Sequence, residues 1–498
     1  MNFFDVAQAF NQIECINGRL KITQLLASLL RDATPVEASI IAIISLGKLH
    51  PPHIGTQFNL SEKTLIPVVA DLLHVSVADV KTLMKEKGDL GSVVAAGVWR
   101  VHHRLDVKHV YDALCAIEKI GGIGSQELKA QEVKALILQL TPDEAKYVVR
   151  MVIGKLRLGF SDMTIIDSLS WMQTGDKSLR SIIEDAYNVC ADIGYIAKLL
   201  KQEGIHALED MKVHVGVPIR PAGAERLPTA DAIVKKIGPC VAQPKLDGFR
   251  LQIHIDKMGP TPKIHFYSRN LQDMSQMFPD LVAALAQMPI KELICEGEAI
   301  CYDPNTGSFL PFQETVKRKR KHGIEQAINE FPLKVYLFDI LYLDGNELMS
   351  KTHAQRRHVL LDLFGDFAND HVHPIEEVEI STGKQLNDYF LQNIDAGLEG
   401  LVVKRADSVY QPGRRNFNWI KLKRHEEGEL DDTIDCVILG YYYGKGKRAS
   451  FGIGAFLVGV YNKNKDCFET IAKIGTGLKG QEWKDLKQRF DAIIVPGK

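Results

Sequence analysis

Lys245-Leu246-Asp247-Gly248 sets an ammonium two residues before a carboxylate and a glycine, inside a run (CVAQPKLDGFRLQIHID, 240–256) that otherwise reads as a buried strand. Val241 and Ala242 before it, and Leu251 and Ile253 after it, belong in a sheet core, where an unpaired ammonium is costly. On a strand Lys245 and Asp247 face the same way, and Gly248 removes the side chain that would block a ligand's approach. A phosphate-handling site needs a nucleophile or cations, acids for a metal, and a surface for the base, and the middle of the chain offers all of these.

Four further patterns carry charge at strand-like spacing. SRN at 268–270 closes a strand with Arg269, and EGE at 296–298 puts two acids on one face of an apolar strand, where acids must be paired or bound to metal. EGLVVK at 399–404 has an acid at one end and a lysine at the other. WIKLK at 419–423 alternates Lys421 and Lys423 with Ile420 and Leu422, as a strand with a cationic inner wall would. Taken singly, each is at least as well explained by ion pairs across a sheet. Their co-occurrence in one region argues for a site.

These patterns need a scaffold, and the chain of 498 residues is long enough for roughly three domains. From 1 to 205 apolar residues recur at helical spacing, and Thr141-Pro142-Asp143-Glu144 reads as a capped helix start, so this part is expected to be an all-helical domain. The stretch 206–235, with GVPIRPAGAERLPTA, reads as a connector. Short strand-like runs and helical patches such as FPDLVAALAQM and HAQRRHVLLDLF indicate an α+β domain over 236–430. An acidic patch at 426–432 follows, then closely spaced strands with glycine-rich turns over 431–498 that suit an OB-type β-barrel ending early.

Composition bounds partners and location. The formal charge of −1 leaves a nucleic-acid partner open, because binding depends on how charge is distributed. The eight cysteines show no CxxC or zinc-type spacing and are expected to be buried free thiols. No run of 18 apolar residues occurs and MNFFDVAQAF lacks the layout of a signal peptide, so the expectation is an intracellular protein without a membrane partner.

In this order, KLDGFR, SRN, EGE, FDILYLDG, EGLVVK and WIKLK resemble the nucleotidyltransferase motifs of ATP-dependent DNA ligases. AFNQIECINGRLKITQLLASLL and GKLRLGFSDMTIIDSL resemble the helical DNA-binding domain of the three-domain members of that family. The likeness covers nearly the whole chain and implies an all-α N-terminal domain, an α+β nucleotidyltransferase domain of ATP-grasp-like adenylation type, and a C-terminal OB-type barrel, here incomplete. It implies that Lys245 attacks the α-phosphate of ATP to give lysyl-AMP, that AMP passes to the 5′-phosphate of a nick, and that the 3′-hydroxyl then displaces it. Such an amine attacks only when neutral, and burial beside cations and a metal lowers its pKa from about 10.4.

By the same resemblance Glu298 and Glu399 are metal or ribose contacts for Mg²⁺ (or Mn²⁺), and Arg250 and Arg269 contact ribose and phosphate. Phe338 stacks on adenine, with a core aromatic as the competing reading, and Arg415, Lys421 and Lys423 grip phosphates. Nicked duplex DNA is the implied partner of a monomer, with a sliding clamp open as a second one. KRKRK at 317–321 and the stretch from Lys404 to Arg424 suit a DNA backbone track, although a solvated face explains KRKRK equally well. The alternatives are a nucleotidyltransferase or ligase acting on RNA ends, and a nick-binding protein without turnover.

The chain departs from the family pattern twice. Gln243 stands where the family has an acid that reads the adenine amino group; its amide oxygen still accepts that bond, but the charge is lost. The last basic barrel motif, which orients pyrophosphate, does not occur before Lys498, so the expectation is either a truncated chain or poor lysine adenylylation. GTGLKG at 475–480 lacks the following βα unit of a dinucleotide site and reads as a barrel turn; His102, His103 and His109 read as a polar helical face; and no P-loop pattern occurs.

Overall fold

The structure is a computed structural model that describes residues 1–318, 320, 323–365, 367, 369–423 and 434–495, the side chains of Ile324 and Lys447 excepted. The described residues form two compact units: Met1–Leu49 with Thr56–Ser178 and 434–495, and His50–Gly55 with 179–423. The acidic patch at 426–432, Arg424, Lys319 and Lys321 lie outside the described residues.

In the first unit the N-terminal part is helical, from Phe3–Cys15 to Asp162–Thr174. Its helices begin where the sequence supplies caps. Thr141 accepts from the backbone of Glu144, whose carboxylate accepts from the Thr141 backbone at 2.8 Å, a capping box with Pro142 in the first turn of Pro142–Val152. His102, His103 and His109 are exposed, and among the described residues no group of three or more His, Cys, Asp or Glu could hold a metal. No helix is long and apolar enough to cross a membrane, again among the described residues.

Fourteen strands among the described residues are numbered in chain order. The second unit contains β1 (Gly223–Arg226), β2 (Cys240–Lys245), β3 (Phe249–Asp256), β4 (Lys263–Ser268), β5 (Glu292–Cys301), β6 (Leu333–Leu343), β7 (Asn346–Glu347), β8 (Val372–Pro374), β9 (Val378–Ile380), β10 (Gly400–Lys404) and β11 (Arg415–Lys423). One sheet has the order β1-β11-β10-β2-β9 and the other β4-β3-β5-β6-β7, with β8 pairing β6 in parallel. Helices Ala230–Ile237 and Gly383–Asp395 cover the first sheet, burying Ile233 and Leu386 against Ala242, Leu401, Val403 and Ile420. Helices Pro279–Ala286 and His353–Gly365, both foreseen from their periodicity, cover the second through Leu281, Leu285, Leu360 and Phe364. Ile294 and Leu341 of the second sheet join Tyr410 and Trp419 in a shared cluster. The unit is thus two sheets with helices outside, and a site between their inner faces.

The C-terminal part contains β12 (Val437–Tyr442), β13 (Ala455–Asn462) and β14 (Cys467–Ile474), antiparallel in that order, and helix Gly480–Asp491. The expected barrel is not what the described residues form. Closure requires the two edge strands to pair, and here β12 and β14 flank a single open three-stranded sheet. The thiols are free, as expected, but Cys15, Cys436 and Cys467 are exposed. KRKRK divides: Arg318 is fully buried and donates to Asp280 at 2.6 Å and to the carbonyl of Phe331 at 3.2 Å, which makes it a core residue.

Candidate active site

β2 ends at Lys245 because the chain turns at Leu246–Gly248 before β3 begins. Asp247 therefore lies exposed in the turn rather than on the strand expected from the sequence. Gly248 is required by close approach: a Cβ there would lie 2.4 Å from the carbonyl oxygen of Ala299 in β5. The turn thus lies directly on the strand that carries Glu296 and Glu298.

Register assembles the rest. β10 sits between β2 and β11 with Gly400 opposite both Lys245 and Lys423, while the next inward row sets Val402 opposite Gln243 and Lys421. Gly400 has φ 141°, and a Cβ there would strike the carbonyl of Leu422. Glu399, just ahead of it, receives hydrogen bonds from both Lys245 and Lys423. In the second sheet Arg250 of β3 is opposite Glu298 of β5.

A cleft of about 520 Å³ opens between these inner faces. Its lining includes Gln243, Lys245, Arg250, Arg269, Glu298, Phe338, Arg415, Lys421 and Lys423, all singled out from the sequence. Glu399 is not in the lining but reaches it through its two lysines. Its lining holds seven cations, counting Lys404 with these six, against two acids, Asp247 and Glu298, so its field favours a polyanion.

Each charged group is tuned by its surroundings. Burial lowers the Lys245 pKa; Glu298 and Asp247 oppose this and Arg269 assists it. Lys421 and Lys423 are lowered by burial and by neighbouring cations, among them Lys245 and Arg226. The Glu298 carboxyl is pushed up to about 7 by burial, against the pull of Lys245 and Arg250. Its partner in the motif, Glu296, is a structural acid: it is 1% exposed and accepts from Arg250 at 2.9 Å and from the Tyr410 hydroxyl at 2.9 Å. Arg250 also donates to the carbonyl of Ala222 at 2.8 Å, which fixes its guanidinium 5.3 Å from the Phe338 ring. Phe338 is half-buried and meets Trp419 edge-on at 6.0 Å, so the ring belongs to the cleft wall as well as to the core.

Trp419, Glu377 and His353 were missed, and Lys404, read as the end of EGLVVK and the start of a basic stretch, was given no part in the cleft. Lys404 is 1% exposed, donates to the Phe338 carbonyl at 2.9 Å and lies 4.3 Å from the Trp419 ring; burial lowers its pKa to about 8, with Asp339 and Glu377 opposing. Alternation could have found both, since Lys404 shares a face with Val402, and Trp419 with Lys421. Gln243 is 1% exposed and donates through Nε2 to Glu377 at 2.6 Å, and Glu377 also meets His353 Nε2 at 2.8 Å. Nothing local announces that pair.

Two carboxylates, Glu298 in the lining and Glu399 behind Lys245 and Lys423, are hard oxygen donors at this cationic cleft. Mg²⁺ characteristically takes one or two carboxylates and completes its shell with water and substrate phosphates, so this donor set fits it.

Comparison with known proteins supplies the family. The family model described as "DNA ligase N terminus" matches residues 2–170, and "ATP dependent DNA ligase domain" matches 221–423. A "Probable DNA ligase" of Dictyoglomus thermophilum is 43% identical over 99% of this chain and 84% of its own length. A "DNA ligase 2" of Thermofilum pendens is 36% identical over 99% of this chain and 83% of its own. The solved structure "Pmar-Lig_PreS3" shares the fold at a TM-score of 0.57 and 14% identity, over 98% of this chain and 92% of that one. With two family models spanning the helical part and the cleft-bearing part, and relatives this similar along its length, the chain belongs to the ATP-dependent DNA ligases.

Proposed function

We propose that the protein seals nicks in duplex DNA through a lysyl-AMP intermediate formed on Lys245. The observation that carries this reading is a half-buried lysine at the end of β2, in a cleft where cations outnumber carboxylates and aromatic rings line the wall. The neutral Lys245 Nζ attacks the α-phosphorus of ATP; an N–P bond forms, the bond to the bridging oxygen breaks, and pyrophosphate leaves. Glu399, already bonded to Lys245, is the acceptor at hand for the amine proton. Arg269, Arg415, Lys421 and Lys423 hold phosphates and stabilise charge as it shifts onto them, Arg250 contacts ribose or phosphate, Phe338 stacks on the base and Gln243 reads its amino group. Glu298 and Glu399 would hold Mg²⁺ or Mn²⁺, which would neutralise phosphate charge. AMP then passes to the 5′-phosphate of the nick, and the 3′-hydroxyl displaces it.

The reading extends to organisation: a helical DNA-binding domain over 1–205, an adenylation domain over 236–430 to whose first sheet the 206–235 stretch adds β1 and a covering helix, and a C-terminal domain over 431–498 that works on nicked DNA. We place the protein inside the cell as a monomer, with a sliding clamp as a candidate partner. Family membership does not favour action on RNA ends or binding without turnover.

The test is intact mass before and after ATP with Mg²⁺, with peptide mapping. An AMP adduct on Lys245, lost in Lys245→Ala while nick binding persists, is the expected result. Capture retained by Lys245→Ala refutes it.

A further inference from the structure

We propose that Glu377, steadied by His353, is a positioning residue that sets nucleobase selectivity by locking the side-chain amide of Gln243 in one orientation. The inference rests on the reading above, in which Lys245 captures a nucleotide, and adds what decides which nucleotide is taken. A glutamine amide has two nearly isosteric ends, one that only donates and one that only accepts. Left alone in a cleft, it could present either end to a base, donating to a keto oxygen as readily as accepting from an amino group.

The geometry removes that freedom. Gln243 Nε2 donates to Glu377 Oε2 at 2.6 Å, and an ionised carboxylate can only accept. Flipping the amide would set oxygen against oxygen and lose a charge-assisted bond. Glu377 is held in place in turn: His353, 1% exposed at the start of its helix, meets the same oxygen at 2.8 Å, and its backbone N–H donates to the Ser408 carbonyl at 2.8 Å. Burial raises the Glu377 pKa, but the His353 bond and charge, with Lys404 and Arg357, outweigh it and keep the carboxyl below its ordinary value. The acceptor end, Oε1, is then the end of Gln243 left for the cleft that this residue lines. A fixed acceptor pairs with the exocyclic amino group of adenine and opposes the keto oxygen of guanine. The charge missing at position 243 is therefore supplied one residue further out.

The experiment measures lysyl-nucleotide formation by intact mass with ATP and with GTP, in the wild type, Glu377→Gln, Gln243→Glu and the swap Gln243→Glu/Glu377→Gln. A neutral amide at 377 can donate or accept, so Glu377→Gln should lower the ATP-to-GTP capture ratio by about tenfold or more while its melting temperature stays near wild type. Gln243→Glu alone places two carboxylates against each other and should lose capture. The swap recreates one donor facing one carboxylate and should recover both capture and adenine preference. An unchanged ratio in Glu377→Gln, or a swap no better than Gln243→Glu, overturns the proposal. Absence of any adduct in the wild type would instead sink the underlying reading, and should Glu377→Gln fail to fold, the swap decides alone.

Discussion

Gly248→Ala should damage the cleft through the backbone alone. The added Cβ would stand 2.4 Å from the Ala299 carbonyl oxygen, 3.0 Å from its carbon and 3.1 Å from Glu298 Cγ. An ordinary C···O approach is about 3.3 Å, so roughly 0.9 Å must be recovered. Ala299 cannot supply it readily, being 0% exposed in a strand bonded on both sides by β3 and β6. The turn must move instead, and it carries Lys245 at one end and the Gly248 N–H that hydrogen-bonds the Glu298 carboxylate at the other. Overpacking of this kind costs about 1–3 kcal/mol, and an ångström of misplacement at a nucleophile costs on the order of 100-fold in rate. The assay is single-turnover lysyl-AMP formation, with hydrogen exchange of β5 peptides reporting the strain. Gly259→Ala is the control, since its Cβ would meet nothing within 4 Å. Capture within about threefold of wild type, with β5 exchange unchanged, would refute the close-approach argument.

Two further outcomes follow from buried charge. Arg356 and Asp339 are both 0% exposed at their side chains and bond twice, at 2.7 and 3.0 Å, so Arg356→Ala strands a carboxylate and should destabilise the cleft-bearing unit by about 3–5 kcal/mol, read from hydrogen exchange of β6 amides. Glu298 keeps its proton to about 7 in the ligand-free fold but only to about 4.5 when unfolded, so the native state binds more protons between those values and stability falls as pH rises through that window. Glu298→Gln should remove this slope and make the ligand-free protein more stable above pH 7 by about 1–3 kcal/mol, discounted for the open side of the cleft; denaturant midpoints at pH 4.5 and 8 that shift equally relative to wild type would contradict it.

Alternation in WIKLK determined which faces of β11 carry Lys421 and Lys423 and which carry Ile420 and Leu422, because a strand's period of two is written in adjacent residues. The Thr141 helix start was legible for the same reason, since a cap and its partner lie three residues apart. What lay beyond reach was pairing at a distance. Lys245 meets Glu399 across 154 residues of chain, Gln243 meets Glu377 across 134, and Glu296 turned out to be a paired core acid while Glu298, two residues on, faces the cleft. Arg318 shows the same limit from the other side: its run of cations looked like a surface, and only the packing of Asp280 and Phe331 around it made it core. The sequence by itself marked Lys245 as a costly ammonium in an apolar strand, the cationic face of β11 and the missing side chain at Gly248, since those are local matters of charge, periodicity and space. The tertiary structure decided which acid holds which cation and that the C-terminal strands form an open sheet, because strand register and closure depend on edges that meet only once the chain is folded.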